Sequence, residues 1–305
     1  MMVLVTGGAG FIGSELVGQL AAAGRRVMVL DNLATGRREN LSGTAATLVE
    51  GDVSDRAVLD SILPGVDTVY HLACVSLRRS LREPRVGHDV NATGTLILLE
   101  ACRAAGVRRY VHVSSSEVYG EAETVPMTEE HRTQPTTAYG ASKLAGESYA
   151  RAFHRTYGFP AVMVRPFNAF GPRCHHEGDS GEVIPKFLLL ALAGRPMVIY
   201  GDGTQTRDFT HVSDIARGIR LAGKCDEAIG ETINLGSGKE ISMLGLAEEV
   251  ARIAGRPRAE VIHEAARPGD VRRMCAGAGV ARKLLGFEPS VGLRAGLMGL
   301  KEWYE

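Results

Sequence analysis

The stretch Val3-Leu4-Val5-Thr6-Gly7-Gly8-Ala9-Gly10-Phe11-Ile12-Gly13-Ser14-Glu15-Leu16 restricts what this chain can fold into more than any other. A short apolar run rich in β-branched residues enters three spaced glycines, and from Phe11 to Ala23 apolar residues recur at helical spacing. The pattern predicts a strand, a tight turn and a helix. Gly7 lets the chain turn where a Cβ would clash, Gly10 lets backbone N–H groups approach a ligand, and Gly13 lets the helix lie close on the strand. The unpaired amides and dipole of such a helix start attract a pyrophosphate. A second apolar run, Arg26 to Leu30, ends in Asp31, eighteen residues after Gly13, where a dinucleotide fold needs an acid to hold a ribose diol. A carboxylate there repels a 2′-phosphate, which favours NAD over NADP. Arg37 and Arg38 follow and could accommodate such a phosphate, but each alone reads as a solvated loop charge.

Beyond Asp31 short strands and helices keep alternating. Thr47 to Glu50 leads to Gly51-Asp52-Val53-Ser54-Asp55, an acid-capped helix start; Val66 to Ala73 is a strand, Asn91 to Ala105 a helix and Val107 to Ser114 a strand. The repetition predicts an α/β fold with a doubly wound, mostly parallel sheet, helices on both faces and ligands at the carboxyl ends of the strands. With 305 residues, 45% of them hydrophobic, the chain can bury a large core in one or two domains. Thirty-five basic residues balance thirty-five acidic ones, so charge gives no reason to expect nucleic acid or an anionic membrane as partner. Without a membrane-length apolar run or a leader-like start, the expectation is a soluble, cytoplasmic protein. Five scattered cysteines lack a CxxC pair and read as reduced thiols.

Three residue sets gather at the strand ends: Ser114 to Gly120, Tyr139-Gly140-Ala141-Ser142-Lys143 at a helix start, and Arg165 to Arg173 after the strand Ala161 to Val164. Tyr139 and Lys143, four apart, share a helix face. An ammonium beside a phenol favours the phenolate, a cationic nicotinamide adds to this, and a tyrosine so tuned exchanges a proton with a sugar hydroxyl near neutral pH.

With these residues in view, nearly the whole chain resembles the extended short-chain dehydrogenase/reductases, and within them the nucleotide-sugar epimerases and dehydratases. The likeness rests on Thr6 to Gly13, Asp31-Asn32-Leu33, Gly51-Asp52-Val53, His71-Leu72-Ala73, Ser114-Ser115-Ser116, Tyr139 to Lys143, Arg165 to Asn168, Gly201 to Phe209, and Arg267-Pro268-Gly269-Asp270. It implies a Rossmann domain over residues 1–168, with return segments near 206–236, and a smaller C-terminal substrate-binding lobe over 169–305. It implies NAD held by Gly7, Gly10, Phe11, Ile12, Gly13, Asp31, Asn32, Gly36, Asp52, Val53, Leu72, Ala73, Asn91, Tyr139 and Lys143. Ser115 then hydrogen-bonds the sugar 4-hydroxyl, Tyr139 is the acid/base, and Lys143 binds the nicotinamide ribose. Asn168, Arg207 and Arg267 face the substrate's nucleoside diphosphate, and Ser80, Ser115, Ser116, Val183, Tyr200 and Asp270 complete the substrate set. Two arginines suit a diphosphate because each presents a charged fork of donors.

The implied activity is 4-epimerisation of a nucleotide sugar, a UDP-hexose or UDP-hexuronate, since the segment Asp31 to Asn40 is most similar to the epimerase form of this loop. Glu117 stands where dehydratases of the family keep a proton-abstracting glutamate, whereas Ser116 departs from the acid they usually carry beside it. A 4,6-dehydratase, a decarboxylase or a 4-ketosugar reductase is therefore the rival enzyme, and an NAD-binding sensor the non-enzymatic one. The polar segment 173–181 reads as a loop over the pocket rather than a metal site despite His175, His176 and Glu177, because adjacent histidines diverge. His71 and Cys74 read as structural. The helices Asn91 to Ala105 and Tyr139 to Phe153 resemble those that pair in homodimers of the family.

Overall fold

The structure, a computed structural model, describes residues 1–178, 181–267 and 269–305. The first half runs β1 (Met2–Thr6), α1 (Phe11–Ala22), β2 (Arg26–Asp31), β3 (Thr47–Glu50), α2 (Arg56–Ile62), β4 (Val66–His71), α3 (Leu77–Arg82), α4 (Pro84–His88), α5 (Thr95–Ala104), β5 (Arg109–Val113), α6 (Ala138–Tyr157) and β6 (Ala161–Pro166). The second runs β7 (Asn168–Phe170), α7 (Val183–Leu192), β8 (Met197–Tyr200), β9 (Thr206–His211), α8 (Val212–Ala222), β10 (Thr232–Leu235), β11 (Glu240–Ser242), α9 (Met243–Ile253), β12 (Val261–Glu264), α10 (Gly279–Leu285) and α11 (Leu293–Tyr304).

Seven parallel strands form the main sheet in the order β10-β6-β5-β4-β1-β2-β3. Its strands are apolar on both faces because both faces are covered. Val3 and Val5 of β1 pack with α1 and α8 on one side, and Leu4 packs with α2, α5 and α6 on the other. The strand order reverses between β1 and β4, which opens the crevice at their carboxyl ends where ligands of doubly wound sheets bind. Helices α7, α9 and α11 enclose a separate core of Phe187, Leu188, Leu246, Val250 and Leu297 around a three-stranded sheet, β11-β9-β7, and the pair β12-β8.

Two elements differ from the sequence reading. The segment Phe209 to Asp214, whose pattern predicts the cap of a helix from Ile215 to Ala222, instead ends β9 at His211, and α8 starts at Val212. Asp214 instead binds the backbone amides of Ser290 and Val291, both at 2.9 Å, so it ties down the start of the C-terminal segment. Of the return segments near 206–236, β10 joins the main sheet and α8 packs on α1, whereas β9 pairs with β7 and β11. The helix expected from Asn91 begins as a widened turn over Asp89–Gly94 before α5.

Candidate active site

The crevice is a cavity of about 710 Å³ reaching from the glycine turn to Tyr200 and Arg267. At one end Gly7 has φ +69°, and a Cβ there would stand 2.7 Å from the Ala73 amide nitrogen; only glycine allows this turn between β1 and the chain after β4. Asp31 is buried at the end of β2. Its carboxylate accepts from the Ala9 and Leu33 amides, each at 2.9 Å, which fixes the turn and holds Leu33 at φ +56°. Asn32 donates to Asp52 at 2.8 Å. Burial pushes the Asp52 carboxyl up, but hydrogen bonds from Ser54 and Asn32 outweigh it and hold the group below its ordinary value. Gly7, Gly10, Phe11, Ile12, Gly13, Asp31, Asn32, Asp52, Val53, Leu72 and Ala73 all line the cavity. A turn of open amides, an acid for a ribose and a second acid beside an apolar wall fit the adenosine diphosphate half of NAD.

At the centre, α6 is started by Thr137, whose Oγ accepts from the Gly140 amide at 3.1 Å. This sets Tyr139 and Lys143 on the cavity wall with Ser114, Ser115, Ser116 and Glu117 opposite, on the turn after β5. Lys143 is buried and donates to the Val113 carbonyl at 2.7 Å. Ser115 Oγ accepts from the Glu117 amide at 3.2 Å, and Ser116 Oγ donates to Met274 Sδ at 3.1 Å. Burial holds the Tyr139 hydroxyl well above the ordinary phenol range; Cys74, Glu117 and Glu182 add to this and the Ser115 hydroxyl opposes it. The group that lowers it is Ser115, where the sequence pattern expected Lys143. Burial also lowers Lys143, against the pull of Cys74 and Glu147. Glu117 is raised by burial, partly offset by Arg207 and reinforced by Asp270 and Glu182.

At the far end the Arg267 guanidinium lies 3.7 Å above the centre of the Tyr200 ring. Arg207 is held more firmly: it donates to the Thr206 and Val271 carbonyls at 2.7 and 2.9 Å and to Asp270. Asn168 and Val183 also line the cavity, and Asn168 Oδ1 is buried with no partner among the described residues. Pro268, in the motif with Arg267, lies outside the described residues, as do Asp179 and Ser180 of the 173–181 loop.

Three expected contacts are placed elsewhere. Ser80 is fully buried against Gly87, where a Cβ would come within 2.6 Å of its Oγ, and is not part of the cavity wall. Asn91 is fully buried behind the wall, bonding the Val75 amide at 2.7 Å, the Val75 carbonyl at 3.2 Å and Ser142 Oγ at 2.9 Å. Gly36 packs on Asp31, whose Oδ1 would lie 2.8 Å from a Cβ there; its small size lets the loop close over the acid. Conversely, Cys74 is exposed on the cavity rather than packed, and Glu182, Arg78 and Arg79 join the wall. Glu182 starts α7 from a segment that reads only as polar loop, so nothing local marked it.

The NAD dependent epimerase/dehydratase family model matches residues 3–236. The UDP-glucose 4-epimerase of Mycolicibacterium smegmatis is 38% identical over all of this chain and 98% of its own. The solved UDP-glucose 4-epimerase of Thermotoga maritima, determined with UDP-glucose, superposes with a TM-score of 0.95 at 35% identity, covering 100% of this chain and 98% of that one. DesIV, a dTDP-glucose 4,6-dehydratase from Streptomyces venezuelae solved with NAD bound, superposes at 0.94 with 36% identity, covering 100% and 97%.

Proposed function

Because the chain belongs to the NAD-dependent epimerase/dehydratase family, we propose that it is a nucleotide-sugar 4-epimerase acting on a UDP-hexose or UDP-hexuronate through a transient 4-ketosugar. The observation that carries this reading is the sharing of one cavity by the glycine turn, the Tyr139, Lys143 and Ser115 group, and the Arg267 and Tyr200 clamp. Bound NAD supplies the hydride chemistry at the sugar C4. The glycine turn, Asp31 and Asp52 would hold its adenosine diphosphate part, and Lys143, on the same cavity wall as Tyr139, would take its nicotinamide ribose.

Tyr139 Oη removes the 4-hydroxyl proton and returns it when the ketone is reduced. A phenol held high by burial needs a cation to give up its proton, and Lys143 is the one on its own helix face. Ser115 holds the 4-oxygen against Tyr139, so the proton moves between oriented partners. Arg207 and Arg267 hold the diphosphate while the ketosugar turns about it, and Asn168 and Tyr200 receive the nucleoside end. Because the redox change reverses within one turnover, UDP-glucose, UDP-glucuronate or UDP-N-acetylglucosamine should give its 4-epimer with no added reductant. No epimer from any nucleotide hexose would reject the assignment.

Glu117 favours one second reading. It faces the cavity near Tyr139 with its carboxyl raised, as a base for a C5 proton would be, so mass spectrometry showing loss of water would replace epimerisation by 4,6-dehydration. The proposal extends to a homodimer through α5 and α6, since α6 leaves Tyr149 and Tyr157 exposed. A monomer in light scattering would end that part.

A further inference from the structure

Behind the Tyr139 wall a polar compartment lies between the sheet and the α5 and α6 helices. His71 of β4 occupies it with both ring nitrogens paired, to Thr6 Oγ1 at 2.7 Å and to Thr95 Oγ1 at 2.9 Å. His112 of β5, its ring centre 5.5 Å from that of His71, is equally buried, yet neither of its nitrogens has a partner among the described residues. The Tyr110 hydroxyl, two residues earlier on the strand, is likewise without a partner among the described residues. A neutral imidazole carries one donor and one acceptor, and buried groups of this kind are satisfied by protein or by ordered water.

Lys143 has the complementary surplus. Its ammonium has three donors, of which one is engaged among the described residues, on the carbonyl of Val113, the residue after His112. One helical turn beyond Lys143, Gly146 brings α6 so close that a Cβ would stand 3.2 Å from His112 Cε1 and 2.7 Å from the Asn91 carbonyl oxygen. An acceptor without a donor, on His112, therefore lies one residue along the strand from the carbonyl that holds Lys143, close enough for the ammonium to act on the imidazole.

We propose that an internal water joins Lys143 Nζ to the acceptor nitrogen of His112, making His112 a positioning residue for Lys143. The water accepts from the ammonium and donates to the imidazole. Buried waters make about three such bonds, so one or two are enough for His112 and Tyr110 together. An acceptor on Lys143 favours its charged form and opposes the burial that lowers it. The titratable groups that act on Lys143 are Cys74 beyond β4 and Glu147 on α6, and Lys143 acts in turn on His71 of β4 and on His112 itself; Tyr139 precedes it by four residues on α6. The inference rests on the reading of Tyr139 and Lys143 as the proton-handling pair.

His112→Phe keeps a ring and deletes the acceptor, whereas His112→Gln keeps an acceptor on a flexible arm. In the NAD-loaded enzyme, with a nucleotide sugar that it turns over, His112→Phe should lower kcat about tenfold and leave KM within about twofold. It should also move the alkaline limb of the kcat profile down by about one pH unit, and His112→Gln should restore most of both. A His112→Phe enzyme that melts like the parent and keeps its kcat and pH profile overturns the proposal, as do equal losses in both variants. If no nucleotide sugar is turned over, or His112→Phe does not fold, a high-resolution crystal structure of the unaltered protein decides. A water within hydrogen-bond distance of both Lys143 Nζ and a His112 nitrogen is expected, and a dry compartment overturns the proposal whatever the substrate.

Discussion

At the dinucleotide end of the cavity the decisive contacts are made by backbone: Asp31 binds two main-chain amides, and Gly7 turns the chain against the Ala73 amide. At the opposite end they are made by side chains far apart in sequence, Arg267 on Tyr200 and Arg207 on Asp270. Backbone contacts depend on small residues at fixed places and leave little to vary. Side-chain clamps can be rebuilt pair by pair, so the first end defines a family and the second a substrate.

The comparison is broken most severely where the two ends meet. Tyr139→Phe should reduce kcat about a thousandfold, within the range of a lost acid/base, while both ends keep their ligands. Copurifying NAD and calorimetric binding of the nucleotide sugar check this. Loss of either ligand would show that Tyr139 holds one end together rather than serving chemistry between them.

Asp208 tests how far the substrate half depends on one group. Its fully buried carboxylate accepts from the amides of Ser237, Gly238 and Ala276 at 3.0, 2.8 and 3.0 Å, and so fastens the turn after β10. Asp208→Asn turns an amide NH2 against those donors and should cost about 2–3 kcal/mol in denaturant unfolding. Unchanged stability would mean that the turn holds itself.

The halves also differ in the sign of their response to acid. Burial holds His71 well below its ordinary value, so the unfolded chain takes up a proton there that the folded chain refuses. Its contribution is complete above about pH 6.5 and is lost as pH falls, by up to ~1.4 kcal/mol per pH unit. Burial raises Asp208, which has the opposite sign: its contribution is present below the ordinary carboxyl value and is lost as pH rises through the raised one. His71→Gln should therefore flatten the loss of stability between about pH 6.5 and 5 by roughly one proton. An unchanged slope would show that His71 does not titrate with folding.

The sequence discloses these halves unequally for a physical reason. The glycine turn, Asp31, and the α6 start at Thr137 are local patterns, and each lies within some twenty residues of what it organises. Asp208 reaches Ala276 across sixty-eight residues, and Arg207 is separated from Asp270 by sixty-three; no period or spacing marks such pairs. Ser80 shows the converse error. Its neighbours Arg78 and Arg79 line the cavity, but the helical turn carries Ser80 inward onto Gly87.

Arg267 offers the smallest and most selective effect. It is exposed and, among the described residues, its guanidinium meets only the Tyr200 ring, whereas Arg207 spends three contacts on the protein. Arg267→Leu keeps apolar cover on the ring but removes the charge, and should raise the KM for the nucleotide sugar about tenfold with NAD content unchanged. Arg267→Lys should recover part of this, because the charge returns without the flat fork. The increase should shrink in high salt, where the parent's attraction is itself screened. A tenfold loss that ignores salt would assign Arg267 to shaping the Tyr200 wall, and the far end would then bind by fit rather than by charge.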